Sequence, residues 1–191
     1  LAQHTSADDL GLRLRGAQLA AGVRFVRLVR EGRYDLVVGN PPYQATSRLE
    51  EAGYVQREYP RARADLYAAF LERGLQLVRR GGVSALLTMR NWMFIKQYSD
   101  LRGYLLQSHE LRVIGDLKSG AFEEISPAQV VVSVVMTIFG KNPPSSRPAI
   151  AHRLFEDDTV LQPGETERKR AAVRCQTGRH DFEPAALAVV P

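Results

Sequence analysis

Cysteine is almost missing from this chain of 191 residues. The one thiol, Cys175, cannot form a disulfide within the chain and fits a reducing compartment. No apolar run approaches the length that spans a bilayer, so no membrane partner is expected. His152, His180 and Cys175 are too scattered for a zinc site, and no metal is expected. Lysine is scarce: Lys96, Lys118, Lys141 and Lys169 stand among 26 basic residues, the rest being Arg, and the net charge is +5. An Arg excess suits phosphate contact, and a GC-rich coding sequence yields the same bias. No Gly-rich loop follows a strand; Asp8-Asp9-Leu10-Gly11 does not qualify. The chain begins at Leu1 without a signal-peptide pattern and reads as a piece of something longer. The remainder, 45% hydrophobic and 25% charged, has the composition of one globular domain with a sizeable core, plus part of another.

The organising stretch is Tyr34 to Tyr43. Leu36, Val37 and Val38 read as a strand buried on both faces, as in a parallel sheet. Asn40-Pro41-Pro42-Tyr43 follows directly, at the carboxyl end, where open α/β sheets bind ligands. Consecutive prolines stiffen the turn and leave its carbonyls free. The Asn40 side-chain oxygen can accept one N–H of a planar amine and the Pro41 carbonyl the other, while Tyr43 offers a stacking face. Acceptors out of the ring plane favour pyramidal nitrogen and stabilise the positive charge that develops when that nitrogen attacks an electrophile.

Before this stretch, residues 1–33 form a largely helical lead-in, with Ser6 and Asp9 at capping-box spacing. After it, residues 44–64 read as an irregular polar segment. Arg48, Arg57, Arg61 and Arg63 alternate there with Tyr54 and Tyr59, a pattern that suits a nucleic-acid-facing loop or a solvated one. Asp65 is the expected N-cap of a helix running to Arg79-Arg80 and stopped by Gly81-Gly82. Val83–Met89 is the next buried strand, which completes a βαβ unit. A second helix over about Tyr98–Gln107 leads to a third strand, Leu111–Leu117, and the loop Gly120–Ser126 leads to a fourth, Val130–Phe139. That last connection is too short for a crossover helix, so the final strands are expected to pair antiparallel or to be separated by one strand of an antiparallel arrangement. Residues 140–149 read as a linker; its Asn142-Pro143-Pro144-Ser145 has no aromatic ring and is taken as a turn. Residues 150–191, with solvated charge at Glu165–Arg170, read as the start of a further domain.

Asn40-Pro41-Pro42-Tyr43 resembles the (Asn/Asp/Ser)-Pro-Pro-aromatic motif of S-adenosylmethionine-dependent amino-methyltransferases. Residues 34–139 are similar to the second half of the catalytic domain of DNA adenine-N6 methyltransferases, a Rossmann-like α/β fold with a mixed sheet. The similarity is greatest to the PglX type of the BREX phage-exclusion system. It rests on the Asn-Pro-Pro-Tyr turn, the Asp65-Leu66-Tyr67 helix start, Trp92-Met93, and the Gly120-Ala121-Phe122-Glu123-Glu124-Ile125-Ser126 loop, in that order.

The resemblance implies catalytic roles for Asn40, Pro41, Pro42 and Tyr43, with Tyr43 and Phe122 flanking a flipped adenine. It implies that Phe70 and Pro42 hold S-adenosylmethionine, that the partner is double-stranded DNA, that other phage-defence proteins act alongside in the bacterial cytoplasm, and that residues 150–191 begin a domain that chooses the DNA target. The family's Gly-rich cofactor loop and acidic ribose ligand lie upstream of the Asn-Pro-Pro-Tyr strand and are not in this chain. Some relatives carry a Lys soon after the second aromatic, where Glu123-Glu124-Ile125 stand here. A protein-glutamine N5 methyltransferase, whose substrate amide also fits the turn, and an inactive DNA-binding fragment are the alternatives at this point.

Overall fold

A computed structural model describes residues 29–50, 52–119, 121, 132–154 and 164–184. Most of the helical lead-in, Phe122 and the start of the 130–139 run lie outside the described residues.

Tyr34–Gly39 forms β1, which pairs in parallel with β2, Val78–Met89. Between them run α1, Ala52–Glu58, and α2, Leu66–Leu77. The segment 44–64, expected to be irregular, thus carries a short helix. The Gly81-Gly82 stop acts differently from expectation. α2 ends at Leu77, and Val78 already pairs with Tyr34. Arg79–Gly82 then shifts out of register before Val83 meets Leu36. Gly82 is needed there, because a Cβ would stand 2.9 Å from the Tyr34 carbonyl oxygen.

α3, Ser99–Ser108, leads to β3, Glu110–Lys118, and β4, Val134–Gly140, lies antiparallel to both β2 and β3. The antiparallel ending inferred from the short connection is therefore present. β5, Ala149–Arg153, pairs in parallel with β3, and β6, Arg179–Phe182, closes the order β1-β2-β4-β3-β5-β6. The region read as the start of a further domain thus adds two strands to this same sheet, and α4, Glu165–Cys175, runs between them. No described helix is long and apolar enough to cross a membrane.

The two sheet faces differ. Ser84, Leu86 and Thr88 of β2 and Val135, Thr137 and Phe139 of β4 are buried. On that side Tyr67, Leu71 and Leu75 of α2 join Leu101 and Leu105 of α3 in one core cluster. Each buried Leu contributes about 1.5–3 kcal/mol. Gly74 lies so close over Ser84 that a Cβ would collide with its Oγ. On the opposite face α4 covers only the carboxyl end, where Ala172 packs with Leu117, Val134 and Leu154. At β1 that face is open: Leu36 is 57% and Val38 70% exposed. The expectation that β1 is buried on both faces is therefore corrected. β1 is an edge strand, and no described element lies over Leu36 and Val38.

Candidate active site at the carboxyl end of the sheet

The Asn-Pro-Pro-Tyr turn leaves β1 where the parallel strands β2 and β3 also end and where antiparallel β4 begins. Pro41 is buried, whereas Asn40 and Pro42 are exposed and Tyr43 is half-buried. The Tyr43 hydroxyl donates to Asn40 Oδ1 at 2.9 Å. That bond fixes which way the amide points and leaves a second lone pair on Oδ1. Burial pushes the Tyr43 phenol up to about 12, so it stays a donor at neutral pH.

Tyr43 packs edge-on against Tyr67, with ring centroids 6.3 Å apart, and Tyr67 meets Tyr98 at 6.1 Å. Burial first, and donation to the Tyr98 hydroxyl second, raise the Tyr67 phenol far above its usual range.

Asp65 does more than cap α2. Its Oδ1 accepts from the Tyr67 N–H at 3.3 Å and from the Gln44 N–H at 3.1 Å. Leu66 N–H donates back to the Gln44 carbonyl and Thr46 N–H to the Ala64 carbonyl, each at 3.0 Å. The residue after the motif is thus stitched to the start of α2. Burial raises the Asp65 carboxyl above its usual range, against the lowering effect of the backbone N–H groups. The sequence marked Asp65 only as a cap. Tyr67, a lone aromatic with a hydroxyl on the apolar face of α2, was the available signal for the support beneath Tyr43.

The loop after β2 is equally constrained. Arg90 pairs with Asp116 at 2.8 Å, and its guanidinium lies over the Phe94 ring at 4.8 Å. The chain leaving β3 reaches the same end: Ala121 and Tyr43 pack against one cluster, Leu117, Val134 and Leu154. Phe122, the expected second aromatic, follows Ala121 but is outside the described residues.

Lys169 of α4, only 4% exposed, donates to the Leu117 carbonyl at 2.6 Å and to the Ser119 carbonyl, and pairs with Glu165 at 3.3 Å. Burial lowers its ammonium pKa, against the raising effect of Glu165. The reading of Glu165–Arg170 as solvated charge therefore fails at Lys169. The one Lys in an Arg-rich run was its signal, since a compact ammonium can serve several carbonyls at once.

Among the other expected residues, Phe70 projects from α2 with 41% exposure. Arg48 and Arg63 are exposed, and Arg57 pairs with Glu58 at 2.9 Å. Arg61 is committed elsewhere: it pairs with buried Glu72 at 2.8 Å and lies 4.1 Å over the Tyr104 ring. Its side chain keeps 39% of its surface exposed. The Asn142-Pro143-Pro144-Ser145 turn sits at the other end of the sheet, after β4, where Ser145 Oγ donates to Glu110.

The Eco57I restriction-modification methylase family matches residues 12–122, more than half of the chain. The chain is 30% identical over 128 residues to the adenine-specific methyltransferase BrxX of Escherichia coli O9:H4 (strain HS), covering 66% of this chain and 10% of that protein. It is 33% identical over 105 residues to the adenine-specific methyltransferase PglX of Lacticaseibacillus casei (strain Zhang), covering 51% and 9%. Among solved structures, the ATP-dependent Type ISP restriction-modification enzyme LlaBIII bound to DNA superimposes with a TM-score of 0.61 at 12% identity, over 94% of this chain and 14% of that one. The chain therefore spans about a tenth of the length of these two curated relatives.

Proposed function

The chain belongs to the Eco57I restriction-modification methylase family, and from that premise we propose that it contributes the base-binding half of an adenine-N6 DNA methyltransferase. The reaction moves a methyl group from S-adenosylmethionine to the N6 amine of an adenine flipped out of the duplex, and the N6 proton is lost. The observation that carries this reading is the turn itself. A rigid Pro-Pro segment with Pro41 buried holds the Asn40 carbonyl at the sheet's ligand end, oriented by the Tyr43 hydroxyl at 2.9 Å.

The residues present fit the cofactor. Phe70 is a flat ring left exposed on α2, whose other apolar side chains are largely buried, and Pro42 is exposed beside the acceptor groups. Phe70 and Pro42 would hold S-adenosylmethionine, which supplies an electrophilic methyl on a positive sulfur. The protein's own work is to present acceptors. The free lone pair of Asn40 Oδ1 and the Pro41 carbonyl accept from the amine and stabilise charge as it develops, while Tyr43 supplies a stacking face for the base. Stacking a base on an aromatic ring is worth about 1–3 kcal/mol.

Arg48, Arg57, Arg61 and Arg63 are the candidate phosphate contacts, Arg57 and Arg61 from within ion pairs, and Phe122 is the candidate second aromatic of the base pocket. The relatives BrxX and PglX are named as adenine-specific methyltransferases, which supports a nucleobase over a glutamine amide. Bacterial phage defence or restriction-modification, in the cytoplasm and beside other defence proteins, is the setting that these relatives favour.

Asn40→Ala in the full protein tests the reading. Turnover should fall on the order of 100-fold, because the acceptor acts on charge present in the transition state. DNA affinity should change by less than about threefold, within the range of one weak hydrogen bond. Methyl transfer and DNA binding are measured on the same variant. Retained turnover, or equal loss in both, removes Asn40 from the mechanism.

A further inference from the structure

We propose that Phe94 is a second base-stacking platform, one that takes a nucleobase of the DNA other than the flipped adenine; this rests on the function proposed above. Phe94 is 59% exposed and its neighbour Ile95 41%, at the carboxyl end of β2, the same sheet end as Asn40 and Tyr43. An exposed aromatic is common enough on a surface. The support behind this one is not what a solvated loop needs.

The backbone beneath the ring is held at several points. The Asn91 carbonyl accepts from Phe94 N–H at 3.1 Å and from Ile95 N–H at 3.0 Å. Arg102 reaches from α3 to donate to the Trp92 carbonyl at 2.8 Å and the Ile95 carbonyl at 2.7 Å. Trp92 is itself buried against Phe139. The ring is held too. Arg90 lies over it at 4.8 Å and is locked by Asp116 at 2.8 Å. The guanidinium occupies one ring face and draws on its electron density. What the residue leaves to solvent therefore includes an electron-depleted aromatic surface, which suits an electron-rich purine better than an aliphatic side chain.

The surroundings point to the same partner. Exposed Lys96 lies two residues on and offers a cation for a phosphate. Arg90 and Arg102 also lie at this loop, Arg90 paired with Asp116, while the exposed Asp100 in the first turn of α3 is the other acid close in sequence. A platform of this kind adds affinity without reading sequence, because every base has a π-face.

The experiment uses the full protein. Its methylated adenine is first located in treated DNA, and a short duplex carrying that site is made with 2-aminopurine next to the target. Phe94→Ala is expected to raise the dissociation constant for this duplex roughly tenfold, within the range for one stacked base. The loss should fall on KM for DNA more than on kcat. The slope of affinity against salt should stay as in the wild type, since no charge is removed. Phe94→Trp should restore affinity, and Phe94→Leu, which keeps apolar bulk, should not. If Phe94→Ala is poorly folded by thermal denaturation, the Leu and Trp pair carries the test. An unchanged dissociation constant in Phe94→Ala, or restoration by Leu equal to that by Trp, overturns the platform while leaving the proposed function standing. If the wild type methylates no adenine, the proposed function fails and the platform with it.

Discussion

Tyr43 does two separable jobs. Under the proposed function its ring would stack the base, and its hydroxyl donates to the Asn40 amide oxygen at 2.9 Å. Tyr43→Phe keeps the first and removes the second. The expected outcome is base capture close to wild type and methyl transfer slowed up to about tenfold, the worth of one oriented hydrogen bond. A 2-aminopurine signal for the extruded base, read beside single-turnover rates, separates the two. Equal loss in both would mean that the hydroxyl supports capture and not the acceptor. Because burial pushes the phenol up to about 12, no pH dependence of activity in the neutral range should come from Tyr43. The identity of these residues was open to reading in the sequence. The pairing was not: a Tyr three residues after an Asn meets it only when two prolines fold the turn back.

At the scale of elements, α2 and the turn are one unit because Asp65 serves both. Asp65→Ala removes an N-cap, worth about 1 kcal/mol. It also frees the half-buried Gln44 N–H, worth about 1 kcal/mol more. The sum, about 2 kcal/mol, should appear as a lower urea midpoint with an unchanged slope. Asp65→Asn keeps the Oδ1 acceptor and should recover most of it. A loss in Asn as large as in Ala would show that the carboxylate charge matters, not its acceptor. The periodicity from Leu66 onward marked this helix correctly. Its end was misplaced because Gly81-Gly82 is a stop signal for helices and equally a place where two strand backbones approach too closely for a Cβ. Only the pairing of Val78 with Tyr34 decides between the two uses.

Across the whole molecule, β1 and β6 are the two edge strands of the sheet, and β1 is the one that leaves large apolar side chains exposed. Among the described residues β1 pairs only with β2, and Leu36 and Val38 face outward next to half-buried Val83 and Ala85. An exposed apolar edge of this kind invites pairing with another chain. Val38→Lys should reduce self-association of the chain, followed by sedimentation velocity over a concentration series. Since Val38 is 70% exposed, it should cost little stability. Association unaffected by the substitution would show that the edge is not the contact.

The sequence by itself determined several of the elements and the residue types that the proposed chemistry uses. Tyr34–Gly39, the helix from Leu66, the antiparallel ending and the Asn-Pro-Pro-Tyr turn follow from short-range pattern, and a turn so close after its strand can only lie at that strand's end. Tertiary structure alone decided which groups are free to act. Arg61 looked like any exposed Arg until Glu72 and Tyr104 were brought beneath it, and Lys169 looked solvated until α4 set it under Leu117 and Ser119. Residues 150–191 read as the start of a further domain because β5 and β6 are short and weakly patterned. Their hydrogen bonds run to β3, more than 30 residues earlier, and to each other. Burial and pairing at that distance are properties of the assembled sheet, and local sequence does not encode them.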